Sequence, residues 1–122
     1  MSKIQKFEDL LCWQAARKLV KDVYVMSNEG KLATDYSMKD QLRRAALSVM
    51  NNIAEGFGRF GNKDFIRFLD ISQSSAQEVQ SMLYVLSDLS YLSDDKIELL
   101  RARNDEAKKL TLGLIKYLRG RK

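Results

Sequence analysis

Asn52, Glu55 and Arg59 are the residues whose types and spacing come nearest to chemistry. They stand three and four positions apart, so on one helix and its closing turn their side chains can face one another. Two readings are open. One is a ligand or catalytic pocket built on Glu55. The other is a polar network, with Arg44 on the same stripe, that satisfies buried groups and closes a helix end. The second is favoured. A single carboxylate with no second acid, base or metal partner is poor catalytic equipment.

The remaining composition points the same way. The chain of 122 residues contains no histidine, no proline and one cysteine, Cys12. A histidine general base, a Ser-His-Asp or Cys-His pair and a Cys/His zinc cluster are therefore excluded. No catalytic residue, metal or cofactor is expected, and the chain does not read as an enzyme. One cysteine makes no internal disulfide, and a reducing compartment is the simpler setting. The opening segment Met1–Glu8 lacks the apolar run of a signal peptide, and no stretch is apolar enough to cross a membrane. A cytoplasmic protein is expected.

Charge is the other chemical resource. Residues 101–122 carry Arg101, Arg103, Lys108, Lys109, Lys116, Arg119, Arg121 and Lys122 against Asp105 and Glu106, a net +6, while the first 100 residues sum to −1. A concentrated basic end attracts phosphates by steering and counterion release. The plainer alternative is a solvated helix end whose cations meet the negative dipole. The candidate phosphate contacts are Lys108, Lys109, Lys116, Arg119, Arg121 and Lys122, with Arg43 and Arg59 as weaker additions. Arg43 and Arg44 point about 100° apart on a helix. Arg44 is expected to pair with an acid, and Arg43 to be more exposed. Trp13, Phe65 and Phe68 could stack on bases, but they sit at helical spacing with aliphatics and read as core. Cys12 reads as a small buried or half-buried hydrophobe.

Helices must position these groups. Trp13, Ala16, Leu19, Val23 and Tyr24 form a stripe on a first helix over about 8–27, with Gly30 as a left-handed C-terminal residue. Ser37 is expected to cap a second helix over 37–56, and the glycines at 56, 58 and 61 to end it. Asn62 is expected to cap a third over 63–91, with Phe65, Leu69, Ser72, Ala76, Val79, Leu83, Leu86 and Ser90 along its inner face. Ser93 with Asp94 and Asp95 opens a fourth over 94–119, whose apolar side runs from Ile97 to Leu118. No strand pattern competes. Short connections favour antiparallel neighbours, so residues 1–122 read as one domain, an all-α, antiparallel up-down-up-down four-helix bundle.

The second helix departs from the pattern of a bundle helix. Met38, Leu42, Ala45, Val49 and Ile53 form one apolar track, and Leu47, Met50, Ala54 and Phe57 a second. Only a narrow polar stripe lies between: Gln41, Arg44, Ser48, Asn51, Asn52, Glu55 and Arg59. Such a helix should be buried on more than one side. A second copy of the chain is the favoured cover, and shielding by loops the alternative.

The run Gln41-Leu-Arg-Arg-Ala-Ala-Leu-Ser-Val-Met-Asn-Asn-Ile-Ala-Glu-Gly56, followed by Gly58-Arg59, resembles the signature of the four-helix bundle family encoded by intervening sequences in bacterial 23S rRNA genes, the S23 family. The accessory variability protein of diversity-generating retroelements is a relative of that family. Phe7-Glu8-Asp9-Leu10 with Trp13, Gln14 and Ala16 resembles its opening motif. Lys63-Asp64-Phe65-Ile66-Arg67-Phe68-Leu69 with Ser74, Ser75 and Glu78 resembles its third-helix motif. Similar sequences carry a proline at the place of Met50, a Phe-Pro pair in the first loop, and Ala and Gly at Ser72 and Ser74. These departures bear on loop shape and helix bending. The resemblance implies a homopentamer with a central pore and basic surfaces, and RNA or an RNA/DNA hybrid as partner. A reverse transcriptase is implied as a possible protein partner, which leaves a docking scaffold as the alternative role.

Overall fold

Apolar side chains recurring every three or four residues organise the chain into four helices, and the computed structural model describes them over residues 4–120. They are α1 (Leu11–Met26), α2 (Tyr36–Phe57), α3 (Asn62–Asp88) and α4 (Asp94–Arg119), with 3-10 turns at Phe7–Asp9 and Gly30–Thr34. No strand occurs among the described residues, and no helix there is long and apolar enough to cross a membrane. Cross-helix contacts fix the topology. Along α3 and α4 the partners run in opposite order: Asn62 with Leu118, Gln73 with Lys108, Tyr84 with Arg101. Likewise Ser72 reaches Val49 and Ser75 reaches Ser48 across α2–α3, while Asp22 meets Arg103 across α1–α4. Sequential neighbours are antiparallel, giving an up-down-up-down four-helix bundle.

The core follows the expected stripes with small rotations. Leu69, Ser72, Ala76, Val79, Leu83 and Leu86 of α3 are buried, as are Ile97, Leu100, Ala107, Leu114, Ile115 and Leu118 of α4. On α1 the buried line is Cys12, Ala16, Leu19, Val23 and Met26, while Trp13 and Tyr24 lie at its edge. Two buried polar side chains bond main-chain carbonyls of a neighbouring helix. Ser72 Oγ donates to Val49 O at 2.7 Å, and Asn104 Nδ2 donates to Ala76 O at 2.9 Å. Each such bond removes the cost of an unpaired buried dipole and pins the register of two helices.

Helix ends differ from expectation for reasons that lie elsewhere in the chain. Residues 7–9 form a separate 3-10 turn, so α1 begins at Leu11. Asp35, not Ser37, caps α2: its Oδ1 accepts from Met38 N at 3.1 Å, and its Oδ2 accepts from the Tyr91 hydroxyl at 2.9 Å. That second bond ties the α1–α2 and α3–α4 loops together. It also raises the Tyr91 pKa, because the neighbouring carboxylate opposes ionisation. Gly61, at φ 77°, occupies the cap position of α3, and Asn62 lies inside the helix. α3 stops at Asp88 instead of Tyr91. Ser90 adopts φ 55°, Tyr91 N donates to Leu86 O, and Ser90 N donates to Ser87 O, a Schellman closure with serine where glycine is usual. Ser93 caps α4 as expected, accepting from Lys96 N at 3.3 Å.

The Cys12 thiol is 3% exposed and faces Thr111 across α1–α4. Burial pushes its pKa up to about 11, partly offset by the Thr111 hydroxyl and the backbone at Trp13. At pH 8 the thiolate is roughly a hundredfold scarcer than on a free cysteine, and the sulfur is also inaccessible. A disulfide-exchange reagent at pH 8 should therefore label Cys12 only as fast as the bundle opens. Labelling at the rate of an unfolded control would show that the α1–α4 seam is not closed.

Candidate nucleic-acid interface

The antiparallel order brings the end of α2, the start of α3 and the end of α4 to one end of the bundle. Asn62 Nδ2 donates to Leu118 O at 3.3 Å, which fastens the α2–α3 turn to the last turn of α4. Gly56 makes the turn tight from inside. It is buried in α2, and a Cβ there would stand 2.8 Å from Phe68 Cβ and 2.9 Å from Phe65 Cδ1. It is a packing residue within the helix, where the sequence suggested a breaker.

Five cations collect at this end. The guanidinium groups of Arg59 and Arg67 lie 4.9 and 4.6 Å from the centre of the Phe68 ring. Lys63 is exposed one helical turn before Arg67. Arg119 meets Asp70 at 4.0 Å, so the α4 cations adjoin this stretch of α3, and Lys116 lies exposed one turn back. Acids moderate the patch: Arg59 pairs with Glu55 at 2.7 Å, and Arg67 with Asp64 at 3.0 Å. These pairs are all largely solvated and hold their partners loosely. Lys63 and Lys116 have no ion pair among the described residues. Phe60 stands at the tip of the turn with 99% of its surface exposed.

The candidate residues read from sequence are thus divided. Arg59, Lys116 and Arg119 come together at this end. Lys109 is exposed on the same outer face of α4, two turns from Lys116, beside the cleft between α1 and α4. Lys108 turns toward α3, where its ammonium donates to Gln77 Oε1 at 2.8 Å and Gln80 Oε1 at 3.0 Å. Arg121 and Lys122 lie outside the described residues. Arg43 belongs to the opposite end and is half-buried there, against the expectation of exposure. Its guanidinium stacks 4.3 Å from the Tyr24 ring and donates to Ser27 Oγ, Tyr24 O and Asn28 Oδ1. Those are the last polar groups of α1, so Arg43 closes that helix.

The polar stripe of α2 resolves into separate local pairs. Arg44 bonds Asp40 at 2.7 Å, Asn52 donates to Ser48 O and Oγ, and Glu55 holds Arg59. No bond joins Arg44, Asn52 and Glu55 to one another among the described residues. One chain also covers α2 better than its composition suggested. Leu42, Val49 and Ile53 are fully buried, and no large apolar side chain from Met38 to Phe57 is left exposed. Trp13 forms a T-shaped pair with Phe7, and Phe65 with Phe57, and all four rings pack partly buried against the core, as their helical spacing suggests. Phe60, Lys63 and Arg67 join this group only through the structure. The signal for Phe60 was present: an aromatic off every helical stripe, between glycines and next to arginine.

Among the described residues no group of His, Cys, Asp and Glu could hold a metal ion. This end of the bundle sets cations on α3 and α4 beside one fully exposed aromatic ring. No curated protein is significantly similar to the chain. Its fold is similar to the crystal structure of a protein of unknown function from the S23 ribosomal protein family of Bacteroides thetaiotaomicron. The TM-score is 0.79 at 23% identity, over 87% of this chain and 96% of that one. The sequence model described as 23S rRNA-intervening sequence protein matches residues 8–113. That match spans α1, α2, the tight turn with Phe60, α3 and most of α4, and leaves Lys116 and Arg119 beyond it; the chain belongs to the 23S rRNA-intervening sequence protein family.

Proposed function

We propose that this chain binds nucleic acid, RNA or an RNA/DNA hybrid, through the basic end of the bundle, without catalysis and with little dependence on base sequence. The observation that carries the reading is the gathering of Arg59, Lys63, Arg67, Lys116 and Arg119 around one turn. Phosphate contacts of this kind position a ligand but do not read bases. The chain acts as an assembly of copies, which sets several such ends side by side. Support for association lies on α3 and its closing residue, where Ile71, Val85 and Leu89 leave apolar surface exposed along one face that a second copy would cover.

Fluorescence anisotropy of a labelled RNA across a salt series tests the binding. Affinity should fall steeply, with a log–log slope of about −0.7 to −0.9 for each phosphate neutralised. Affinity that ignores salt would remove the electrostatic basis of the reading. Sedimentation with and without RNA tests the assembly, and a single-copy species under both conditions would overturn it.

A further inference from the structure

We propose that Phe60 is a base-stacking platform, which makes unpaired, single-stranded nucleic acid the ligand of this end; the inference rests on the nucleic-acid reading above. The ring is 99% exposed and belongs to no hydrophobic cluster of the chain. Its backbone is nevertheless held on both sides. Arg59 N donates to Gly56 O at 3.1 Å, and Gly61 O accepts from Phe65 N at 3.3 Å. The positive φ of Gly61 turns the chain directly after the ring. A ring carried on a braced turn costs its own rotamer freedom but no ordering of the backbone on meeting a partner.

The surroundings select the partner. Arg59 is the preceding residue, Lys63 is three residues on, and Arg67 shares the Phe68 ring with Arg59. An apolar protein surface closing over Phe60 would strip water from these cations without giving them counter-charges. A nucleotide satisfies both demands at once: its base offers a flat face to the ring, and its phosphate meets the cations. In a duplex both faces of every internal base are already stacked, so the ring has nothing to cover. The turn therefore discriminates by strandedness and not by sequence.

The test uses the whole chain with labelled oligouridylate and an RNA duplex of equal length, both read by anisotropy. Phe60→Ala should weaken binding of the single strand by about five- to a hundredfold. It should leave duplex affinity, the salt slope and the thermal midpoint unchanged. Phe60→Trp should keep wild-type affinity, and its added fluorescence should be quenched by the single strand alone. Equal loss on both RNAs, or no loss on the single strand, overturns the inference. So does a Phe60→Ala effect confined to vesicles of anionic lipid, which would make the ring a membrane contact. If the wild-type chain shows no salt-sensitive RNA binding, the function proposed above fails, and this inference with it. Salt-sensitive binding indifferent to Phe60 overturns the inference alone.

Discussion

Reversing charge at Lys63, Lys116 and Arg119 together should lower RNA affinity on the order of a hundredfold near physiological salt, and flatten the salt slope by two to three contacts' worth. The estimate follows from counterion release, at about 1 kcal/mol per phosphate contact in 0.15 M salt. The fold should survive, because all three side chains are exposed and, among the described residues, only Arg119 has an ionic partner, Asp70, at 4.0 Å. Two controls separate this patch from basic charge in general. Lys108→Ala should change affinity little, since its ammonium is already engaged by Gln77 and Gln80. Arg43→Ala should leave affinity alone and cost about 1–2 kcal/mol of stability, because it uncaps α1. Anisotropy with RNA and urea unfolding read the two effects. A triple glutamate variant with the wild-type slope would place the phosphate contacts elsewhere on the molecule.

The helices and their inner faces were readable because burial imposes a period on the sequence, and Leu69, Ala76, Val79, Leu83 and Leu86 obey it without exception. Caps were not, because tertiary partners choose among local candidates. Asp35 prevails over Ser37 where Tyr91, 56 residues away, bonds its other oxygen. Asn62 could cap α3, but its amide goes to the Leu118 carbonyl, and Gly61 takes the cap position. The basic C-terminal block was visible as composition, but neighbours on a helix diverge by about 100°. Lys108 and Lys109 are adjacent in sequence, yet one turns to the glutamines of α3 and the other to solvent. Arg43 looked free because its partners, Tyr24 to Asn28, belong to another helix. Phe60 is illegible for the opposite reason: helical periodicity marks an aromatic only where it joins a stripe.

Gly56→Val should destabilise the bundle by about 3 kcal/mol and lower the thermal midpoint by roughly 10 °C. Two effects compete at this position. Replacing a helical glycine gains up to about 1 kcal/mol in helix propensity for alanine, and less for valine, which is β-branched. Against that, any Cβ would sit 2.8 Å from Phe68 Cβ, 2.9 Å from Phe65 Cδ1 and 3.2 Å from Phe65 O. The first and last of these belong to backbone-bound atoms that cannot swing aside, so α3 must move away from α2. Overpacking of this kind wins over propensity. Gly56→Ala should therefore also lose stability, by less, although alanine is the better helix former. The consequence reaches the site, because Phe68 carries both Arg59 and Arg67 on its ring. Displacing α3 spreads those cations, so RNA affinity should drop at temperatures where the variant is still folded. Thermal denaturation by circular dichroism and anisotropy at low temperature measure the two parts. An alanine variant as stable as wild type would show that α2 and α3 do not approach this closely. A destabilised variant with intact affinity would show that the Phe68 ring does not organise the basic end.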